Sequence, residues 1–388
     1  MGELESLLVV LALIYLSECL VWVGRGAVAF ASWTGKRFRP RFPGSVMGNT
    51  RGGFLFSKPL PPLGIVLLNQ PFPVSISSAT VFACSSTCLN SIGRPEQTAR
   101  LLRLDDLRDI TTVGRELRVN GALLLKAISP FTARHIAGVL NRLHKLPEPD
   151  RAAAVRTVIE DSLDADAVSK RFDEYRARSR RLRVLSNVLF VYLFLLVPPL
   201  LWQFGFGKFG LGLLAGMLAQ SAVIAVLFRR AHATLYPGAD EERFKPFLTM
   251  MLAPPAAIRA ADILARHLVE NAHPLAVARA LSSPETFRRL SRQVLIDLRH
   301  PLLPVCPTRD ALAAETEEQF RTMMHAAVSA FVRKSGLNPD ELTAAPQPAE
   351  SGNQSYCPRC GAQFLMIEGV CRDCGDRPLE PFQDGALG

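Results

Sequence analysis

The sequence lacks the short motifs by which many enzymes can be identified. It contains no HExxH, no GxSxG, no phosphate-binding P-loop and no EF-hand calcium loop. His267 and His273 do not have HExxH spacing, and the remaining candidates His232, His300 and His325 stand alone. We therefore name no catalytic residue and no organic cofactor, and the sequence favours a non-enzymatic function.

Acidic residues are fewer than basic ones over the chain as a whole, but not at the C-terminus. The 388 residues include 45 Lys and Arg against 35 Asp and Glu, but residues 335–388 hold three basic and eight acidic side chains. The preceding 334 residues therefore carry a net charge of +15. Such an excess is typical of proteins that bind nucleic acid or anionic lipid, and the positions of the charges decide between the two.

Two stretches, residues 185–204 and 209–228, lack charge altogether. Each has about the 20 residues that a helix needs to cross the hydrocarbon core of a bilayer. Only Gly205–Lys208 separates them, which predicts a helical hairpin. The basic run Arg176–Arg183 precedes the hairpin and Arg229–Arg230 follows it. Because positive flanks mark the cytoplasmic side, we predict that both ends lie inside and the turn outside.

A third apolar segment, residues 4–24, opens the sequence. It resembles a signal peptide in that Ala27-Val28-Ala29 could be cleaved, but no Lys or Arg precedes it. Basic residues follow it instead: Arg25, Lys36, Arg37, Arg39 and Arg41. This pattern favours an uncleaved anchor with the N-terminus outside. The sequence thus predicts a multi-pass protein of the cell (inner) membrane, with three spans and cytoplasmic soluble domains.

Glu18 interrupts the first segment. An acidic residue within a span suggests a functional site, because its burial in lipid is costly. The alternative is that Glu18, which lies near the cytoplasmic end, reaches toward the interface or toward Arg25.

The glycines at the hairpin turn resemble a nucleotide-binding fingerprint only in their letters. Residues 205–210 read GFGKFG, but this motif requires a preceding strand and here it lies between two predicted membrane helices, so we interpret it as a turn. Gly212 and Gly216 continue as GxxxG, a motif by which membrane helices pack closely. It offers a surface for homo-oligomerisation.

Residues 36–146 begin with a basic, Pro- and Gly-containing stretch and continue with strand-like runs. Asn120-Gly121 lies between two apolar runs, which predicts a hairpin. A helix is predicted from Ser129, with Ile136, Val139, Leu140 and Leu143 on its buried face. Antiparallel strands closed by one helix resemble the bacterial pleckstrin-homology-like domains over residues 50–146. The resemblance implies binding or assembly at a membrane, and the alternative is an unrelated small α+β domain. We interpret Cys84 and Cys88 as free thiols.

The rest of the chain is predicted to be mostly helical. Residues 150–183 form a stalk, with Asp150 as N-cap, that runs without a break into the span at 185. Residues 240–336 form a helical cytoplasmic domain. Within it, residues 244–258 are apolar but too short for a span, so they lie in the interface or in a core. Residues 337–355 have the composition of a flexible linker.

Four cysteines close the sequence within residues 356–378. Cys357 and Cys360 form one CxxC pair, and Cys371 and Cys374 form another after ten residues. Glycine follows each pair and allows the tight turn by which two thiolates bind one metal ion. This spacing resembles a zinc ribbon and predicts a structural Zn²⁺ site without an open coordination position. The alternative, two disulfides, does not suit a cytoplasmic location.

Three functions compete. The first is a membrane-anchored adaptor or assembly protein whose cytoplasmic domains and zinc ribbon bind partner proteins, with membrane lipids as further partners. The second is a membrane enzyme or transporter with a site between the helices near Glu18, for which Gln220 is one of few other polar residues in the spans. The third is a membrane-tethered nucleic-acid binder, which the acidic ribbon disfavours because such binding depends on neutralising phosphates. The sequence favours the adaptor.

Overall fold

The structure, a computed structural model, describes residues 6, 10, 28–31, 65–68, 75–77, 80–93, 99–126, 130–205, 207–258, 260–265, 268, 271–281, 284–300, 311–374 and 376–382. The chain divides into two compact units. Unit 1 comprises Met1–Pro73, Ile128–His135 and Asp164–Ser283, and unit 2 comprises Val74–Ala127, Ile136–Leu163 and Pro284–Gly388. The predicted first span, including Glu18, lies outside the described residues apart from Ser6 and Val10.

Unit 1 is built on a long helical rod. Helix α3 (Ala165–Val191) continues through a π-helical turn (Tyr192–Leu196) into α4 (Val197–Phe204). The N–H of Val197 bonds to the carbonyl of Tyr192, directly before Pro198 and Pro199. Because prolines lack an amide hydrogen and crowd the preceding turn, they account for the local widening. The rod confirms the prediction that the helix runs without a break into residues 185–204.

The start of this rod corrects the predicted stalk. Residues 150–183 belong to two helices, α2 (Glu148–Ser162) and α3, and Asp150 lies in the first turn of α2 instead of capping a helix. Asp164 is the N-cap of α3, because its Oδ1 accepts the amides of Asp166 and Ala167 at 2.9 Å each. An aspartate that captures backbone amides in this way starts a new helix.

A second long helix packs against the rod. Helix α5 (Lys208–Leu235) follows the turn at Gly205, whose φ of +70° suits glycine. The Tyr192 hydroxyl donates to the Leu213 carbonyl at 2.9 Å, and Gln220 Nε2 donates to the Leu185 carbonyl at 3.2 Å. Residues 185–204 and 209–228 are therefore two helices joined by a short turn and linked by hydrogen bonds.

The two helices expose a large apolar surface. Trp202 is 73% exposed, Leu211 66% and Leu195 60%. Further exposed side chains on the same helices are Val184, Val188, Val191, Leu196, Phe204, Phe209, Leu214, Leu218, Val223 and Val226. Among the described residues, α5 alone is a single helix long and apolar enough to cross a membrane, and only 22% of its most apolar window is buried.

Short helices complete unit 1: α6 (Asp240–Leu252), α7 (Pro254–Ile258), α8 (Ala260–Ala265) and α9 (Pro274–Leu281). Polar side chains of the long helices bind their backbone carbonyls. Ser186 donates to Ala257 at 3.1 Å, and Tyr175 donates to Ala261 at 3.1 Å. The two acceptors therefore follow α3 in the opposite chain direction. Phe172, Phe228 and Leu264 are buried between these helices. Strands β1 (Val28–Ala31) and β2 (Ile65–Leu68) pair antiparallel in the same unit.

Two of the antiparallel sheets of unit 2 lie within Val74–Ala127. The first has the order β3 (Ser75–Ser77), β4 (Thr80–Cys84), β5 (Cys88–Gly93) and β6 (Ala99–Arg103), and the second has β7 (Ile110–Val113), β8 (Glu116–Val119) and β9 (Ala122–Lys126). Asn120 and Gly121 form the predicted turn, with φ of 52° and 77°. The Asn120 side chain also accepts the Arg108 amide at 2.8 Å.

Helix α1 (Pro130–Lys145) follows the sheets and confirms the helix predicted from Ser129. Ile136, Leu140 and Leu143 are buried as predicted, whereas Val139 is half-buried. Arg151 of α2 is buried and binds Asp105 at 2.6 Å, which ties α2 to the loop before β7.

The remaining helices of unit 2 are α10 (Pro284–Arg299), α11 (Ala311–Lys334) and α12 (Pro339–Leu342). Residues 240–336 are thus divided between the units, with α6–α9 in unit 1 and α10 and α11 in unit 2. Gly336, at φ +84°, ends α11, and the Leu337 amide donates to the Val332 carbonyl at 3.2 Å. Arg299 joins the three helices: it donates to His325 at 3.2 Å, to Thr343 at 2.6 Å and to Asp340 at 3.2 Å.

Candidate metal centre

Short strands bring the four C-terminal cysteines together. Strands β11 (Gln363–Phe364), β10 (Ser355–Tyr356) and β14 (Glu380–Pro381) form one sheet in that order, and β12 (Val370–Cys371) pairs with β13 (Arg377–Pro378). In the first knuckle, the Gly361 amide donates to the Cys357 carbonyl at 2.9 Å, and Gly361 has φ +75°. Glycine is therefore needed here for the left-handed turn. Gly375, after the second knuckle, lies outside the described residues.

The sulfur atoms of Cys357, Cys360, Cys371 and Cys374 all lie within 4.8 Å of one another. All four are free thiols, so the structure contains neither of the two alternative disulfides among them. The Sγ atoms of Cys360 and Cys371 are 3.8 Å apart. With Zn–S bonds of about 2.3 Å, the edge of a tetrahedral shell is about 3.8 Å, so the donor set has the size that Zn²⁺ requires.

The ionisation of this cluster favours a cation. Burial raises the pKa of Cys371 and Cys374, and neighbouring thiols raise both further. Burial also opposes ionisation of Cys357, but hydrogen bonds from the backbone amides of Cys360 and Arg359 and from the Cys360 and Cys371 side chains together leave the pKa of Cys357 below its usual value. The thiolate of Cys357 is thus favoured, and its negative charge opposes ionisation of the neighbouring thiols. A divalent cation among the four sulfurs would remove that repulsion.

Three of the four ligands, Cys357, Cys371 and Cys374, are buried, and Cys360 is exposed. Leu379 and Phe364 pack against the buried cysteines. Four cysteine ligands fill the coordination shell of zinc and leave no position for a water or a substrate. The arrangement therefore fits a structural metal and supplies no catalytic one.

No feature of the sequence indicated the role of Arg359, which lies between the two cysteines of the first knuckle. Its Nη2 lies 2.7 Å from Asp297 Oδ1 on α10, and its Nη1 donates to the His300 carbonyl. Burial raises the pKa of Asp297, while the Arg359 guanidinium and the Gln293 amide oppose that rise. The metal-binding knuckle is thereby attached to the C-terminal end of α10.

A second arginine of the ribbon, Arg377, binds the His300 side chain. Arg377 Nη1 and His300 Nδ1 are 3.2 Å apart, and because arginine can only donate, Nδ1 is the acceptor. Burial and then the charge of Arg377 lower the pKa of His300, which agrees with a neutral ring. Arg359 and Arg377, from opposite ends of the ribbon sequence, thus both bind the end of α10.

Residues before the ribbon also contact it. Gln363 Oε1 accepts the Ala349 amide and Asn353 Nδ2, each at 2.7 Å, and Gln363 Nε2 donates to the Gln347 carbonyl at 2.7 Å. These partners belong to residues 337–355, for which the sequence predicted a flexible linker.

The other candidate residues are not brought to the cysteine cluster. Cys88 is a buried free thiol in β5, where Ser85 Oγ accepts its amide at 3.1 Å. His232 packs in unit 1 among the rings of Phe131, Phe228 and Tyr236. His273 is buried at the start of α9, and His325 binds Arg299. Glu18 and His267 lie outside the described residues.

Comparisons with protein-family models, with curated protein sequences and with solved structures gave no match to this chain.

Proposed function

We propose that this protein is a non-enzymatic adaptor, anchored in a membrane, whose zinc ribbon presents an apolar tip to a partner protein. The observation that carries this proposal is the loop between the knuckles. Leu365 is 70% exposed, Ile367 57%, Met366 54% and Val370 48%. Four apolar side chains this exposed within six residues, on a module of some 25 residues, are typical of an interaction site.

The ribbon supports this tip without needing a core of its own. A metal ion held by four thiolates supplies the folding free energy that so short a segment cannot obtain from hydrophobic burial. Gly369 allows the loop to close, since a Cβ there would lie 2.8 Å from Met366 Sδ. Arg359 and Arg377 hold the ribbon on α10, so the tip is presented from a fixed base.

Membrane anchoring is supported by the helical hairpin of α3–α4 and α5. The exposed side chains along it would leave a long apolar surface in water, whereas lipid is their natural environment. Arg183 and Arg229 flank the apolar runs of the two helices at the open end of the hairpin, where further arginines adjoin them, whereas Lys208 is the one charge at the turn. We place that end on the cytoplasmic side of the cell (inner) membrane by the positive-inside rule. The multi-pass topology is part of this proposal, whereas the pleckstrin-homology-like role of residues 50–146 stays a prediction from the sequence.

Proximity crosslinking in intact membranes tests the adaptor function. The double variant Leu365→Ser/Ile367→Ser should lose a defined set of crosslinked proteins while it keeps one bound zinc per chain. The matched control is Val113→Ser/Leu123→Ser, which changes two exposed apolar residues of the β7–β9 sheet (63% and 39% exposed) and should keep the set. An unchanged set in the tip variant with zinc retained would refute the proposal.

A further inference from the structure

Helix α6 and the turn after it have an unusual distribution of charge. Residues 246–258 contain no charged residue, and Lys245 and Arg259 flank them in the sequence. Thirteen residues in one helix span about 20 Å, too little to cross a hydrocarbon core of about 30 Å. A segment that is basic at both ends and apolar in the middle suits a hairpin that enters one leaflet and leaves on the same side.

Two contacts fix the ends of this segment against the long helices. The Arg229 guanidinium lies over the Phe247 ring, 5.6 Å from its centroid, and Arg229 is the first charge after the apolar run of α5. At the other end, Ser186 donates to the Ala257 carbonyl at 3.1 Å, and Ser186 follows Arg183, the last charge before the apolar run of α3. Both ends of the segment therefore lie at the boundary between charged and apolar residues of the hairpin.

The chain between these ends extends along the apolar side. The short connection Tyr236–Ala239 reverses the chain, so α6 returns along α5, and α7 then follows α3. Met250 and Ala257 face inward and are fully buried, whereas Leu252 is 73% exposed, Leu248 44% and Met251 36%. The exposed apolar face of α6 thus belongs to a helix that packs against α5, which has exposed apolar side chains of its own.

The turn between α6 and α7 suits an environment without water. The Ala253 amide donates to the Thr249 carbonyl at 2.8 Å, and the Ala256 amide donates to the Ala253 carbonyl at 2.9 Å. Between them stand Pro254 and Pro255, which have no amide hydrogen. The amide donors of this turn are therefore paired, which meets one part of the requirement that backbone polar groups in lipid be satisfied.

We propose that residues 246–258 form a re-entrant hairpin that enters the cytoplasmic leaflet beside the α3–α5 hairpin. Its tip, Leu252–Pro254, reaches about 7 Å beyond the level of Phe247, as five helical residues allow. The occupant of the exposed α6 face is phospholipid: acyl chains contact Leu248, Met251 and Leu252, and anionic headgroups meet Arg229, Arg230 and Lys245. This inference rests on the membrane anchoring proposed above.

Photolabelling of the full-length, zinc-loaded protein in liposomes tests it. The liposomes contain phosphatidylcholine and phosphatidylglycerol, with a trace of phospholipid that carries a diazirine on its acyl chain, and labelled residues are mapped by mass spectrometry. We expect label on Leu248, Met251 and Leu252 as well as on the exposed side chains of α5. Val113 and Leu123 are exposed apolar controls and should stay unlabelled.

The outcomes separate this inference from the function on which it rests. Label on α5 without label on residues 248–252 would overturn the re-entrant hairpin and leave the anchoring intact. Absence of label from both would overturn both. Crosslinks from residues 248–252 to a second polypeptide instead of lipid would identify that face as a protein interface and would also overturn the inference.

A charge at the tip provides an independent check. Leu252→Asp should abolish label on residues 248–252 and leave the label on α5, because a carboxylate is excluded from the acyl region. Val113→Asp, the matched change in the β7–β9 sheet, should leave both patterns unchanged. Persistence of the label on residues 248–252 in Leu252→Asp would contradict the inference.

Discussion

Arg359, inside the first CxxC knuckle, forms an ion pair with Asp297 of α10, with 2.7 Å between Nη2 and Oδ1. The side chain of Arg359 is 8% exposed and that of Asp297 is 20% exposed, so the pair is largely removed from water. The knuckle that would bind the metal thus also attaches the ribbon to the helices of unit 2. Removal of the metal should unfold the ribbon, whereas removal of this pair should release the ribbon from α10 with the metal still bound.

We expect Arg359→Ala to release the ribbon from α10 without loss of zinc. Removal of one partner leaves the Asp297 carboxylate buried without its cation, which typically costs about 3 kcal/mol. Hydrogen exchange measured by mass spectrometry should show lost protection in the ribbon and at the end of α10, while bound zinc stays at one per chain. The double variant Arg359→Ala/Asp297→Ala should recover part of that loss, since it removes the unpaired carboxylate as well.

Arg372 offers a matched control for this variant. It lies between the two cysteines of the second knuckle but is exposed. Arg372→Ala should therefore leave both the exchange pattern and the zinc content unchanged. Equal effects of the two alanine variants would show that any arginine in a knuckle supports the ribbon, and would contradict the role assigned to the Asp297 pair.

The metal site gives a second prediction. Purified protein should contain one zinc per chain, and Cys360→Ser should lose it on dialysis against a chelator, because three thiolates no longer fill the shell. Cys88→Ser removes a buried cysteine of another sheet and should keep the metal.

Chelation should expose residues 351–382 to protease, since metal binding supplies most of their folding free energy. Acidification should release zinc as protons compete for the thiolates, and a zinc content independent of Cys360 would contradict the site.

Local features of the sequence carried the predictions that the structure confirms. The CxxC spacing brings two thiols together within one turn, and Asn120-Gly121 can adopt the backbone angles of a tight hairpin wherever it occurs. The predicted N-cap at Asp150 was wrong, because the N-cap side chain is that of Asp164. The break lies at Leu163, which is buried, so tertiary packing selected Asp164. The three membrane spans stay a prediction.

Relationships between distant residues could not be read from the sequence. Arg359 and Asp297 are 62 positions apart, and nothing in CPRC distinguishes an arginine that docks from one that faces water. The exposure of the apolar loop at Leu365–Ile367 could not be predicted either, since solvent exposure depends on what packs against a loop. The role of Gly216 likewise could not be predicted, because it depends on the position of the Tyr192 side chain on another helix.

Gly216 leads to a third prediction, on the helical hairpin. A Cβ at this position would lie 3.2 Å from the Tyr192 hydroxyl oxygen, whereas a Cβ at Gly212 meets nothing within 4 Å. Gly216→Ala should therefore displace the phenol and weaken its bond to the Leu213 carbonyl. In the Tyr192→Phe background the same alanine should be better tolerated by about 1 kcal/mol, the typical contribution of one such hydrogen bond. Thermal unfolding in one detergent gives the four stabilities of this cycle.

Gly212→Ala is the matched control for the cycle. Its effect on unfolding should be the same with tyrosine or phenylalanine at position 192. Sedimentation of the same variants tests the predicted self-association through the two glycines, because Gly212 has the open surface that a second copy would need. A dimer that survives Gly212→Ala would contradict an interface at this glycine, and equal effects of the two alanines in both backgrounds would contradict the contact with Tyr192.

The fourth prediction concerns the pH dependence of stability, through His273. Its Nδ1 accepts the Leu275 amide at 3.1 Å and so caps α9, and burial lowers the pKa of His273 from 6.5 to about 3. The folded state therefore keeps this ring neutral, while the unfolded chain takes up a proton below about pH 6.5. Stability from this residue is complete above that pH and is lost as the pH falls toward 3. At pH 5, about 1.5 units below the pKa of the unfolded chain, the free energy of unfolding is lower by about 2 kcal/mol, since each pH unit contributes about 1.4 kcal/mol.

Asparagine at position 273 separates capping from titration. Asn is a strong N-cap, so His273→Asn should keep α9 while it removes the proton uptake. Between pH 7.5 and pH 5, the unfolding temperature of the wild type should fall more steeply than that of His273→Asn. The exposed His135 provides the matched control, and His135→Asn should keep the wild-type slope. A wild-type slope in His273→Asn would mean that acid acts elsewhere, and a low unfolding temperature at every pH would mean that Asn fails as a cap.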